Sequence, residues 1–277
     1  MKANRTLILN ALLIVIFYSC TPENPTPNCT FSYSPWTSCL NNFQTRSFTV
    51  SPSGCSGTPP PDSISRVCTS ILSTPGNGVV FNGETYPSIV LGNGQEWMTE
   101  NLRTTKYSNG ELIPNVPYNN TAAWSNLNTG AWTHFNNDSQ FENPYGKLYN
   151  WYTVADTRNI CPAGWHVPSD AEWTSLINYA GGTEIAGGKL KSSNPNYWVS
   201  TNIGATNETG FSGLPGGYRG PFGTADYGIG ISGFWWSSTQ TSSDCANNYQ
   251  LSIGSVGISA NGIADKNWGN SVRCVRD

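Results

Sequence analysis

The stretch Cys161-Pro162-Ala163-Gly164-Trp165-His166-Val167-Pro168-Ser169-Asp170-Ala171-Glu172-Trp173 decides how most of this chain is read. Ser169 stands where a helix N-cap belongs, and Glu172 follows at the spacing of a capping box, in which each side chain satisfies the other's backbone N–H. Trp173, Leu176, Ile177 and Ala180 then recur at helical spacing. Gly181-Gly182 supplies the residues that end a helix. The pattern predicts an amphipathic helix whose apolar stripe packs on a sheet. Working outward, Val79-Val80-Phe81-Asn82-Gly83-Glu84-Thr85-Tyr86 reads as two strands about an Asn-Gly turn, the pair favoured in a type I′ hairpin. Ser88 to Leu91, Gly92-Asn93-Gly94 and Gln95 to Met98 repeat the idea. Strands with long Gly-, Ser- and Asn-rich loops around a helix give an α+β class.

The first residues read as an export signal. Lys2 and Arg5 precede an apolar run from Leu7 to Phe17, interrupted by Asn10. That run is shorter than the roughly 20 residues a membrane-spanning helix needs and fits a signal-peptide core. Phe17-Tyr18-Ser19-Cys20 resembles a bacterial lipobox, with a small residue before the cysteine that receives lipid. The reading is therefore a signal peptide over 1–19, a lipidated Cys20, and a Pro-stiffened tether over 20–28. It places the protein at the outer membrane or cell surface, held to the membrane by its lipid alone. Charged residues make up 11% of the chain and the net charge is −3, with no basic run, so nucleic acid is not an expected partner. Many aromatics among Gly, Ser, Thr and Asn point to a packed, loop-rich β protein rather than disorder.

An exported chain makes disulfides the default for its cysteines. Cys29, Cys39, Cys55 and Cys68 form one cluster, and Cys161, Cys245 and Cys274 lie far downstream. The downstream set is odd, so one thiol there is free or paired with another molecule. Residues 29–70 describe a mini-domain stapled by disulfides because it has too little core. Pro35-Trp36-Thr37-Ser38-Cys39 and Gln44-Thr45-Arg46-Ser47-Phe48 resemble a thrombospondin type 1 repeat. In that family Trp and Arg side chains stack in layers, which places Trp36 and Arg46, with Arg66, in cation–π contact. The module departs from the family in having four cysteines and Leu40-Asn41-Asn42-Phe43 in place of a Gly-bearing segment. Cys39–Cys68 with Cys29–Cys55 is the favoured pairing, and a spacer the favoured role. Residues 71–78 read as a linker.

Over 79–277 a second resemblance is carried by several motifs in order. They are Gln95-Glu96-Trp97-Met98-Thr99-Glu100-Asn101-Leu102, Tyr145-Gly146-Lys147-Leu148-Tyr149-Asn150-Trp151, the opening Cys161–Trp173 stretch, and Ala186-Gly187-Gly188-Lys189-Leu190-Lys191. Then follow Gly210-Phe211-Ser212-Gly213-Leu214-Pro215-Gly216-Gly217-Tyr218-Arg219, Trp235-Trp236-Ser237-Ser238-Thr239 and Ser271-Val272-Arg273-Cys274-Val275-Arg276. Together they resemble the Fibrobacter succinogenes major paralogous domain, itself similar to C-type-lectin-like and formylglycine-generating-enzyme folds. The resemblance implies a lectin-like twisted antiparallel sheet with one or two helices and long loops, behind the small disulfide-stapled module. It also implies that Val272–Val275 returns to the sheet centre, that Cys161 pairs with Cys274, and that Cys245 stays free at a loop edge.

The chemistry in the sequence favours binding over catalysis. A formylglycine-generating enzyme holds copper between nearby cysteines, and with Cys161 and Cys274 structural no such pair remains. His166 reads as a hydrogen-bonded structural residue, and His134 lies in an aromatic loop; no nucleophile–base spacing stands out. The triplets of calcium-dependent sugar sites are absent, Glu142-Asn143-Pro144 being a scrambled relative. No catalytic residue, metal or cofactor is therefore expected. Trp165, Trp173 and Trp235 are assigned to the core. Tyr218, Arg219, Asp226, Tyr227, Trp236, Asn248 and Trp268 are the candidate ligand-binding surface, flat rings among amides and charges that suit a sugar face or a protein epitope. The expected function is a surface lipoprotein whose lectin-like domain binds extracellular carbohydrate or a protein ligand. The alternatives are a structural surface component or a divergent formylglycine-generating-type enzyme.

Overall fold

In the computed structural model residues 29–35, 43–51, 65–67, 73–117, 121–221 and 226–277 are described. The signal peptide, Cys20, the tether, Trp36, Cys39, Cys55 and Cys68 lie outside the described residues. The chain divides into two units, Met1–Ser70 and Ile71–Asp277. In the first, Thr30–Tyr33 pairs antiparallel with Phe48–Ser51, and Phe43–Thr45 with Ser65–Val67. Phe31, Tyr33 and Phe48 pack ring against ring across the first pair. Arg46 lies over the Tyr33 ring at 4.1 Å, a cation–π contact made with a tyrosine, while its expected partner Trp36 lies outside the described residues. Cys29 is disulfide-bonded.

The second unit is α+β, with more strand than helix. Its first hairpin follows from one turn. Asn82 and Gly83 both adopt left-handed backbone, with φ 54° and 87°, so Val79–Phe81 folds back on Glu84–Tyr86. A five-stranded sheet then runs in the order Trp165–His166, Val275–Arg276, Glu96–Met98, Ser88–Leu91, Ser73–Pro75. Its last strand corrects the sequence reading, because Ser73–Pro75 lies in the expected linker and instead forms the sheet edge, in register with Ile89–Leu91. The strand near the C-terminus is Val275–Arg276, slightly later than expected but inside the sheet between two neighbours. The residues before it join this sheet to a second one. The backbone carbonyls of Cys274 and Val272 accept from Met98 and Leu102, while Ser271 bridges in parallel to Trp235.

The second sheet has the order Asp226–Ile229, Gly216–Arg219, Ser232–Gln240, Cys245–Ser252, Ile258–Asp265. The helix Asp170–Tyr179 begins with the expected capping box between Ser169 and Glu172. It buries Trp173, Leu176 and Ile177 against Trp97, Phe211, Trp235 and Tyr249. Trp173 stacks on Tyr249 at 4.5 Å. Burying rings of this size is the main apolar driving force available to a chain with so few aliphatic residues. Trp165 and Trp235 are also buried, as expected.

A second helix, Thr183–Leu190, carries Gly187 and Gly188, where a Cβ would overlap the carbonyl oxygens of Gly257 and Gly204. These glycines let two loop backbones close onto the helix. Lys191 then enters the gap, fully buried, and donates to the carbonyls of Ile203, Ser252 and Ser255 at 2.8, 2.9 and 2.7 Å. Burial brings its pKa down to about 8. Arg273 plays the same part between the sheets. It is fully buried, donates to Asn101 Oδ1 and the Phe211 carbonyl, and stacks on the Phe211 ring at 4.0 Å. Cys161 and Cys274, both fully buried, are joined in a disulfide. Cys245 is free and half-buried, the first residue of the strand Cys245–Ser252 and so at the edge of the loop before it.

Candidate functional site

The structure brings three of the expected binding residues together. Tyr218 and Tyr227 face each other as a cross-strand pair, with ring centroids 5.6 Å apart. Trp268 arrives from the loop before the C-terminal strand and stacks on Tyr218 at 4.7 Å and 12°. Phe234 meets the Tyr218 ring edge-on at 4.9 Å. Tyr227 is 51% exposed, and Tyr218, Phe234 and Trp268 are half-buried. The result is a row of rings at the sheet edge with Tyr227 as its outermost member. The Trp268 indole N–H has no hydrogen-bond partner among the described residues. Asp226 lies on the same edge strand, opposite Arg219 in register.

Three other expected surface residues are interior. Trp236 is fully buried, and its indole N–H donates to the Tyr149 carbonyl at 2.7 Å. The strand it sits on is covered on both faces, so the Trp235-Trp236 pair is buried twice rather than once in and once out. Arg219 is fully buried as well; its guanidinium donates to the Val116 carbonyl at 2.7 Å and lies over the Trp124 ring at 4.1 Å. Asn248 sits in a central strand, and Gly262 opposite it leaves the room its side chain fills. These buried residues offer no surface to a ligand.

A second concave feature lies elsewhere on the domain. A cavity of about 430 Å³ is lined by Glu84, Thr85, Glu100, Arg103, Ser139, Glu142 and Asn143. Another of about 280 Å³ is lined by Thr99, Glu100, Asn143, Pro144, Ser192, Tyr197, Ser212 and Leu214. Glu100 and Asn143 line both, so the two adjoin and together make up a cleft. Arg103 organises its charges. It donates to Glu100 Oε2 at 2.6 Å and to Glu84 Oε2 at 3.3 Å, and lies over the Tyr86 ring at 5.1 Å. Burial pushes the Tyr86 phenol up to about 12, despite the Arg103 backbone N–H it accepts and the Arg103 charge beside it. Glu142 is held by Lys147 and His134, both at 2.6 Å. Burial works to raise its pKa, but these two partners bring it below the usual value.

His166 is structural in the way its sequence position implied. Its two ring nitrogens meet Glu172 Oε1 at 2.6 Å and Asp277 Oδ1 at 2.5 Å. Burial lowers its pKa, and the two carboxylates more than offset that, so it is raised overall. Cys245 is the one free cysteine among the described residues, its sulfur 3.9 Å from Asp265 Oδ1. Among the described residues no group of three or more His, Cys, Asp or Glu side chains is placed to hold a metal ion.

Residues 90–276 match the Fibrobacter succinogenes major domain. The chain belongs to that family. No curated protein and no solved structure matches it. Within this major domain the sequence motifs do two separate jobs. Gly187-Gly188 and Lys191, Trp235-Trp236, and Arg273-Cys274 lock loops and sheets together. Thr99 and Glu100, Ser212 and Leu214, and the residues just before Tyr145 line the cleft. The sequence reading missed the cleft because its walls come from segments more than a hundred residues apart. The one available sign was that Glu100, Arg103 and Glu142 are charged in a chain with few charges.

Proposed function

We propose that this protein is an exported, lipid-anchored surface protein whose major domain has a lectin-like fold and binds extracellular carbohydrate, with a protein ligand as the other candidate. The observation that carries the reading is the row of rings Tyr227, Tyr218 and Trp268. Flat rings, one of them half-exposed, match the C–H faces of a sugar, and such rings give contact area at low entropic cost. The anchoring rests on the lipobox-like Tyr18-Ser19-Cys20 and the short apolar run before it. In this reading the Cys29–Ser70 module serves as a spacer.

Residues 21–277, with Cys20 left out, are screened on a glycan array and against insoluble plant and microbial polysaccharides. Selective binding is expected, and Tyr227→Ala weakens it by about tenfold, the loss of one stacked ring. If no glycan binds, the carbohydrate reading falls and a protein ligand replaces it. A structural surface component is the second reading. It draws support from the exposed Val199, Ile231 and Val256, and predicts self-association in analytical ultracentrifugation instead of glycan binding.

A further inference from the structure

We infer that the cleft between Arg103 and Tyr197 is a binding site for a neutral oligosaccharide, holding two consecutive rings on either side of Glu100 and Asn143. The inference rests on the carbohydrate reading above and adds to it where along the chain a glycan lies.

The two cavities have complementary chemistry. The one bounded by Thr99, Pro144, Tyr197, Ser212 and Leu214 offers an aromatic ring and two apolar side chains beside hydroxyls. That mixture fits a pyranose, which has apolar faces and a hydroxylated rim. The one bounded by Glu84, Thr85, Glu100, Arg103 and Ser139 is dominated by polar groups. Its carboxylates are only partly used. Arg103 takes Oε2 of Glu100 and Oε2 of Glu84. The other oxygen of each makes no hydrogen bond among the described residues and remains an acceptor for hydroxyl donors. Glu100 is 40% exposed at its side chain and Glu84 47%, so both can be reached from solvent.

The pairing of the charges argues for a neutral ligand. Glu84, Glu100 and Glu142 are met by Arg103 and Lys147, with His134 also on Glu142. An anionic ligand would face unshared carboxylate oxygens, and a cationic one would meet the Arg103 charge that stands between Glu84 and Glu100. Hydroxyl groups can donate to those oxygens without disturbing either pair. Arg103 acts as a positioning residue, since its two ion pairs set where the carboxylates stand. Glu100 and Asn143 line both cavities, so the two adjoin, as neighbouring subsites for consecutive rings require.

The test is a titration of residues 21–277 with neutral oligosaccharides of graded length, drawn from whichever polysaccharide binds best. Affinity is expected to rise from one ring to two and then level off. Glu100→Gln and, separately, Tyr197→Ala are each expected to weaken the two-ring ligand about tenfold or more, with thermal melting used to confirm the fold. Tyr197→Ala covers the case in which Glu100→Gln disturbs the Arg103 pairs. If wild type binds glycan, and both cleft variants bind it as tightly while Tyr227→Ala does not, the cleft is not the site, and the carbohydrate reading stands on the ring row alone. If wild type binds no glycan at all, both readings are wrong.

Discussion

Replacing Cys161 and Cys274 together by alanine tests how the major domain is held. The bridge spans 113 residues. The chain-entropy relation for a loop of that length gives about 16 cal/mol/K removed from the unfolded state, or about 4.8 kcal/mol at 25 °C. Both cysteines are fully buried, so the two alanines also leave small voids, each costing roughly 0.8 kcal/mol if it behaves like a lost CH₂. Together these come to about 6.4 kcal/mol, and for a domain of this size each kcal/mol shifts the melting temperature by about 2–4 °C, so the double variant should melt about 13–26 °C lower. Mutation is preferred to a reductant, because dithiothreitol would also open the bond at Cys29. Differential scanning calorimetry of both proteins at one scan rate gives the comparison. A drop below about 5 °C would refute the reasoning, since the bridge would then not be limiting the unfolded chain.

Gly187→Ala forces a methyl onto the Gly257 carbonyl and should destabilise the fold by about 1–3 kcal/mol in urea titration; Gly254→Ala, which meets open space, should be near neutral. The pKa of His166 is raised on folding, so its two carboxylate contacts stabilise fully below its unfolded value of about 6.5 and are lost as pH rises through the folded value. Melting curves from pH 5 to 8 should therefore show a decline in wild type that His166→Gln lacks, and equal slopes would refute the link.

The sequence by itself determined the local elements of this protein. Asn82-Gly83 required left-handed backbone and gave the hairpin, and Ser169 with Glu172 gave the helix start. Trp173, Leu176 and Ile177 gave its buried face. Each of these depends on residues within one turn or one strand, where steric limits and hydrogen-bond reach act over a few positions. The family motifs also carried the Cys161–Cys274 pairing, which no local rule supplies. Tertiary structure decided what lies on the surface. Trp236, Arg219 and Asn248 have the composition of a binding face yet are interior, because their strands are covered on both sides and alternation no longer separates inside from outside. Tyr218, Tyr227 and Trp268 became a row only when an edge hairpin met a loop near the C-terminus. The Glu100–Asn143 cleft likewise exists only once segments distant in sequence are packed together, which no spacing along the chain encodes.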